Sequence, residues 1–248
     1  MCGRFVLYNT RPSTPGFEPF KYGQDTGPYP FESLEPSYNI APTMKILVGL
    51  SRESAPYDSP GLAQGEPSTG SLRFGMAIMR WGLVPSWAKD IKIGARMINA
   101  RAETVAEKPS FRSAFKRRRC LIIADGFYEW KRSVKPSLPF YFSMKDGNPF
   151  AIAGLWEQWK DPSGKVVETC AMITTGPNNL MRPVHDRMPV ILNPRTYQYW
   201  CNPANDNPKK LLSLLKPFPG SHMQCWPVSA AVNIPKTNDR HCIERLVP

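Results

Sequence analysis

Cys2 follows Met1 directly. A small residue at position 2 favours removal of the methionine, and the chain would then begin with a 1,2-aminothiol. Its primary amine has a reference pKa of about 7.7–8.0, so a useful fraction is neutral near pH 7. Its thiol, with a reference value of about 8.5, is readily activated by a positive neighbour. Such an amine condenses with an aldehyde to a Schiff base, and the adjacent thiolate closes a five-membered thiazolidine. Ring closure is intramolecular and enjoys a high effective molarity. An internal cysteine cannot do this, because its nitrogen is an amide. On position alone, the alternative is a cysteine that merely happens to stand second.

Two groups suited to moving protons stand far from Cys2 in the chain. Glu129 lies in Asp125-Gly126-Phe127-Tyr128-Glu129-Trp130, an acidic residue among three aromatics just past an apolar run. A carboxyl pocketed there would be desolvated and tuned for proton transfer. A surface glutamate, or one paired with an arginine, reads equally well. His185 is one of three histidines and sits in the proline-bounded, charged loop Arg182-Pro183-Val184-His185-Asp186-Arg187-Met188-Pro189. Imidazole titrates near neutrality and is the usual proton shuttle, although a structural histidine bonded to Asp186 fits the same pattern.

The binding signal is concentrated in one stretch. Residues 80–119 hold 11 Lys and Arg against 3 Asp and Glu, in a chain whose net charge is +12. Local excess of this kind suggests a polyanion, most often nucleic acid, or else a solvated basic face. Within it, Arg80-Trp81-Gly82-Leu83-Val84-Pro85-Ser86-Trp87 interleaves aromatic and basic residues, as stacking on unpaired bases with phosphate contacts requires. Isolated tryptophans are also common in cores. Asn99, in Ile98-Asn99-Ala100-Arg101, offers a neutral donor and acceptor.

The elements that must position these groups are short. The 27 prolines argue for many loops and brief strands rather than long helices. Apolar runs at 44–50, 72–81, 120–124, 139–144, 149–155 and 166–174 read as strands, the 120–124 strand ending at Asp125-Gly126. Residues 110–115 read as the end of a short helix. Asn193-Pro194 and Asn207-Pro208 each place a capping residue before proline and so start helices. Residues 10–37 read as an irregular packed loop and 51–71 as an exposed insertion. The expectation is a single mixed α+β domain over residues 1–248.

Composition excludes several classes. No apolar run approaches the ~20 residues of a membrane span, and the first residues lack the apolar core of a secretory signal. A soluble, intracellular protein follows. The six cysteines (Cys2, Cys120, Cys170, Cys201, Cys225 and Cys242) form no C-x-x-C pair and no zinc spacing with histidine. Neither a disulfide framework nor a metal site is expected, and no coiled-coil or repeat signal argues against a monomer.

These segments occur in one order: Cys2-Gly3-Arg4-Phe5, Tyr38-Asn39-Ile40-Ala41-Pro42-Thr43, the run from Arg80 to Trp87, Asn99 to Thr104, Ala124 to Trp130, and His185 to Pro189. That order closely resembles the SOS response-associated peptidase (SRAP) family, the abasic-site processing proteins, over nearly the whole chain. The resemblance implies a compact α+β domain with a β-barrel-like core of mostly antiparallel strands and peripheral helices. It implies catalytic roles for Cys2 as nucleophile, Glu129 in Met1 removal and proton handling at the sugar, His185 as acid and base, and Asn99 in positioning. Arg4, Pro42, Trp81, Arg101 and Trp130 would contact a kinked single strand of DNA or line the site. The implied activity is capture of abasic sites in single-stranded DNA as a covalent thiazolidine crosslink, after autoproteolytic loss of Met1, with abasic-site lyase chemistry if the Schiff base eliminates first. No metal or organic cofactor is called for, and a cytoplasmic, nucleoid-associated protein is implied. The basic run 116–119 has no assigned role: it extends a DNA track or closes a solvated helix.

Two rivals remain at this level. A thiol hydrolase acting on peptides or small amides would use the same Cys, Glu and His for acyl transfer. A noncatalytic nucleic-acid-binding module would use the basic stretch alone.

Overall fold

The computed structural model describes residues 2–9, 35–53, 72–131 and 133–246. In chain order the strands are β1 (Arg4–Leu7), β2 (Ser37–Ile40), β3 (Lys45–Glu53), β4 (Leu72–Trp81), β5 (Asn99–Arg101) and β6 (Arg119–Ala124). They continue as β7 (Gly126–Lys131), β8 (Leu138–Met144), β9 (Phe150–Lys160), β10 (Val166–Thr175), β11 (Met188–Pro189) and β12 (Met223–Pro227). Three short α-helices, α1 (Arg112–Arg117), α2 (Tyr197–Cys201) and α3 (Pro208–Ser213), lie among them.

Five strands close on themselves in the order β10-β4-β3-β6-β9, and β9 pairs back onto β10. A barrel closed in this way leaves no open edge. Among the described residues only β10–β4 and β10–β5 are parallel, and the other pairings are antiparallel. The expected α+β fold with a barrel-like core and mostly antiparallel strands is the fold observed. The barrel strands are nearly continuous apolar runs because both faces are covered: all six residues of β6 are buried, as are the first eight of β9.

The second sheet, β12-β8-β7-β1-β2, holds the first strand between β7 and β2. Side chains alternate across it. Phe5, Leu7, Phe127 and Phe142 face the main core together with Cys2, whereas Val6, Tyr128 and Tyr141 pack against Val228, Val232 and Cys242 of the last segment. Asp125 is the joint between barrel and sheet. Its N–H donates to Val6 O (2.8 Å), and its Oδ2 accepts the N–H groups of Tyr8 (2.7 Å) and Asn9 (2.8 Å). Asp125-Gly126 therefore ends β6 as expected, but the chain enters β7 at once rather than a loop. Glycine is required there, since a Cβ would stand 2.3 Å from the Tyr141 ring.

Other differences concern length and charge. Residues 51–53 belong to β3 instead of the expected insertion, paired in register with β4 as far as Glu53 and Leu72. Ser51 is buried and its hydroxyl donates to Cys201 O. The rest of that expectation, 54–71, lies outside the described residues, as does 10–34 of the expected packed loop. The run 116–119 is not one surface. Lys116 and Arg117 end α1, Arg118 pairs with Glu157 at 2.7 Å, and Arg119 is wholly buried. Both helix starts hold: Asn193 accepts from Arg195 N and Asn207 from Lys210 N, the first opening a 3-10 turn that runs into α2. No helix among the described residues is long and apolar enough to cross a membrane.

Candidate active site

One pairing of the second sheet sets the position of Cys2. β1 runs antiparallel to β7 with Arg4 opposite Tyr128 and Phe5 opposite Phe127. The chain just ahead of β1 therefore lies alongside Glu129. Glu129 shares the Phe127 face of β7, because residues two apart point the same way, and that face is the one Cys2 occupies. Phe5 in turn packs edge-on against Trp81, with centroids 5.3 Å apart.

Cys2 has no exposed surface, and its Sγ lies 3.6 Å from Arg4 O. Its carbonyl accepts a 2.8 Å hydrogen bond from Asn99 Nδ2. Asn99 opens β5 and is held by parallel pairing with Met172 of β10. The Oδ1 of Asn99 is buried and has no hydrogen-bond partner among the described residues. An acceptor left so costs about 1–3 kcal/mol, which a donor from a bound molecule or a free amine would offset. Burial pushes the Cys2 thiol far above its ordinary pKa, and the charge of Glu129 pushes it further.

Glu129 is 2% exposed, and its Oε2 lies 3.7 Å from His185 Nε2. The loop after β10 presents His185, whose N–H donates to Met181 O. Two groups compete for its Nδ1. The N–H of Arg187 approaches at 3.0 Å and requires a lone pair, and Asp186 Oδ1, also at 3.0 Å, requires a proton. The tautomer that accepts from Arg187 carries its proton on Nε2, 3.7 Å from Glu129 Oε2, whereas the tautomer that donates to Asp186 leaves a lone pair there.

Arg187 was not singled out from sequence, although it stands two residues past His185. Its guanidinium grips both oxygens of Glu103 (2.7 and 2.9 Å) and donates to Thr174 O at 2.7 Å. Arg187 thus ties the His185 loop to the segment after β5. The fork holds the Glu103 carboxyl below its usual pKa. Among the described residues no group of three or more His, Cys, Asp or Glu is arranged to hold a metal.

Cys2, Asn99, Glu129 and His185 thus converge from positions scattered over most of the sequence. A family model described as SOS response associated peptidase (SRAP) matches residues 1–235. The chain belongs to that family. It is 44% identical to the abasic site processing protein YoqW of Bacillus subtilis, over 98% of this chain and 99% of that one. It is 29% identical to the abasic site processing protein HMCES of Xenopus tropicalis, over 87% of this chain and 68% of that one. A crystal structure of a protein from Bacteroides thetaiotaomicron superposes with a TM-score of 0.65 at 32% identity, covering 70% of this chain and 78% of that one.

The residues expected to touch DNA in this SRAP chain divide. Trp81 is fully buried and its indole N–H donates to Ile98 O at 3.0 Å, so it cannot stack on a base; it is a wall behind Phe5. Arg4 is largely occupied within the protein, donating to Asn39 Oδ1, Val232 O and Asn233 O. Trp130 is half-buried on the Tyr128 face of β7, away from Glu129, and donates to Asn233 Oδ1. Pro42 is half-buried beside Thr43, whose φ of 73° is rare for a β-branched residue. That turn is fastened to β4 by Thr43 N to Trp81 O and Arg80 Nη1 to Thr43 O, both 2.8 Å. Arg101 is exposed at the end of β5, two residues from Asn99.

Proposed function

We propose that this protein processes abasic sites in single-stranded DNA by capturing them on Cys2 as a thiazolidine crosslink. The observation that carries this reading is the grip of Asn99 on the Cys2 carbonyl, with Glu129 on the strand paired to β1 and 3.7 Å from His185. The names borne by its relatives, abasic site processing proteins, agree with that chemistry.

Met1 leaves by hydrolysis of its peptide bond to Cys2, aided by Glu129, and frees the amine. The amine nitrogen attacks C1 of the ring-opened sugar, and the carbinolamine loses water to give the Schiff base. Glu129 and His185 supply and remove the protons these steps need. The thiol sulfur then adds to the imine carbon while its proton passes to nitrogen, closing the ring. If a proton at C2 of the sugar is lost first, the 3′ phosphate leaves and the site acts as a lyase. The protein works as an intracellular monomer, a single domain throughout.

Intact mass before and after incubation with an oligonucleotide carrying one abasic site tests this directly. The expected result is a chain lacking Met1 and an adduct of protein plus oligonucleotide less one water, absent in Cys2→Ala. Met1 loss without adduct, together with turnover of peptide amides, would instead indicate the hydrolase. Retained Met1 with only salt-sensitive binding would indicate a simple DNA-binding module.

Asn99 provides a second check. Asn99→Ala removes one hydrogen bond to the Cys2 carbonyl and the orphaned acceptor beside it. A net hydrogen bond of about 1 kcal/mol predicts a crosslinking rate lower by roughly fivefold or more. The thermal midpoint should change little, since the lost acceptor had been an unsatisfied group. An unchanged rate would remove Asn99 from the positioning role.

A further inference from the structure

Protons moved at Cys2 start inside the protein, since Cys2 has no exposed surface. Along one line of side chains the exposure rises steeply: Glu129 is 2% exposed, His185 8% and Asp186 88%. Glu129 Oε2 stands 3.7 Å from His185 Nε2, and His185 Nδ1 stands 3.0 Å from Asp186 Oδ1. The longer gap is of the kind that tightens when substrate fills a site. A carboxylate beside a histidine commonly serves only to orient the ring. Here other contacts already hold it: His185 N donates to Met181 O, and Arg187 N donates to Nδ1 at 3.0 Å. The Arg187 guanidinium is in turn fixed to Glu103 and Thr174 O. Asp186, unlike an orienting group in a core, stands in water, where a carboxylate exchanges protons freely.

The two partners of Nδ1 suit the two states of a ring that has passed a proton. Before an outward passage Nδ1–H donates to Asp186 and the Nε2 lone pair faces Glu129. Nε2 takes the proton from the Glu129 carboxyl, and Nδ1 gives its own to Asp186 Oδ1, which passes it to water. Afterwards Nε2 carries the proton, and the lone pair left on Nδ1 accepts the Arg187 N–H. We propose that Asp186 is the outer end of a proton path, Glu129–His185–Asp186, that connects the Cys2 amine with solvent. The proposal rests on the reading of Cys2 given above and deepens it. An α-amino group with a reference pKa of about 7.7–8.0 is largely ammonium at neutral pH, so capture begins with a proton leaving. A proton then enters, on which the carbinolamine hydroxyl departs as water. The iminium N–H proton leaves last, giving the Schiff base. Outward and inward passages alternate, and each leaves the imidazole in the tautomer that the next one needs. Asp186 acts through His185 and touches no substrate.

The measurement is the crosslinking rate with a single-stranded oligonucleotide carrying one abasic site, in wild type, Asp186→Asn and Asp186→Glu. All three are co-expressed with a methionine aminopeptidase, so that each begins at the Cys2 amine. Each is read against increasing formate at fixed pH and ionic strength. Asparagine can bond to Nδ1 but cannot carry a proton to water. Asp186→Asn should therefore crosslink roughly tenfold more slowly, a smaller loss than the ~10²-fold of a direct acid–base group. Formate, a small carboxylate able to take the proton from His185, should restore much of that rate and leave wild type unchanged. Asp186→Glu should keep most of the activity. Affinity for an oligonucleotide whose abasic site is reduced, and so has no aldehyde, should equal wild type in all three. A wild-type rate in Asp186→Asn would overturn the proposal. So would a slow rate that formate does not raise, which would make Asp186 an orienting contact. An affinity lowered in proportion to the rate would make it a DNA contact and overturn the path as well. No adduct in processed wild type would refute capture on Cys2 and with it the path, an outcome distinct from an adduct that forms equally fast with and without Asp186.

Discussion

A Glu129→Gln variant is expected to retain Met1 and to crosslink abasic DNA at least about 10²-fold more slowly, the scale of a lost general acid–base. Glutamine keeps the shape of the side chain and can still hydrogen bond, but it cannot take or give the proton. Two proton transfers depend on it in the scheme proposed: one at the Met1–Cys2 peptide and one at the carbinolamine. The amide fills the same space at a site only 2% exposed, so the variant should still fold, which its melting temperature checks. Loss of activity without loss of stability would therefore be chemical. Removing Met1 separately, by co-expression with a methionine aminopeptidase, divides the two roles. If the processed variant then crosslinks at the wild-type rate, Glu129 serves only the cleavage. If it also loses Met1 unaided, neither role survives.

Local structure was legible where local physics decides it. The two Asn-Pro pairs predicted helix starts because the capping geometry needs only neighbouring residues, and both form. The strand at 72–81 has the ends that its apolar run predicts. Strand ends were missed where tertiary pairing overrides polarity. Ser51, Arg52 and Glu53 look like loop, yet the hairpin register with β4 carries them into β3, and Cys201 O satisfies the serine. β9 runs five residues past the expected end because its partner β10 extends alongside it.

The site was a different problem. Asn99, Glu129 and His185 are each more than ninety residues from Cys2, and no periodicity links them. They meet through pairings of β1 with β7 and of β5 with β10, which are nonlocal contacts without a signature in spacing. Only the ordered set of motifs, through its family resemblance, suggested them together. The tryptophans show the limit most clearly. Trp81 and Trp87 share one motif, and composition cannot say that the first ends a barrel strand while the second crowns a turn. Likewise four consecutive basic residues read as one surface, but a strand beginning at Arg119 turns that side chain inward while Lys116 and Arg117 stay outside.

That inward arginine predicts the largest effect on stability. Arg119→Ala is expected to destabilise the fold by about 4 kcal/mol or more, the upper end for single substitutions. The guanidinium has no exposed surface, and among the described residues it forms no ion pair within 4 Å of a carboxylate. It donates instead to five carbonyls: Phe115 and Lys116 in α1, Trp200 in α2, and Asn202 and Asn205 in the loop beyond α2. It also lies 5.8 Å from the centroid of the Trp200 ring. Burial lowers its pKa to about 10, so it remains charged at neutral pH. Alanine would leave those acceptors without their shared donor and open a cavity between two helices and the barrel wall. For a chain of this size the melting temperature should fall by roughly 8–16 °C. Arg119→Lys, with three donors in place of five, should recover part of that loss. Below the lowered midpoint, crosslinking should proceed at the wild-type rate, because Arg119 begins β6 and the joint to β7 lies at its other end, about 16 Å away. A melting temperature within 2 °C of wild type would show that water replaces the arginine at these carbonyls and that α1 and α2 are held by packing alone.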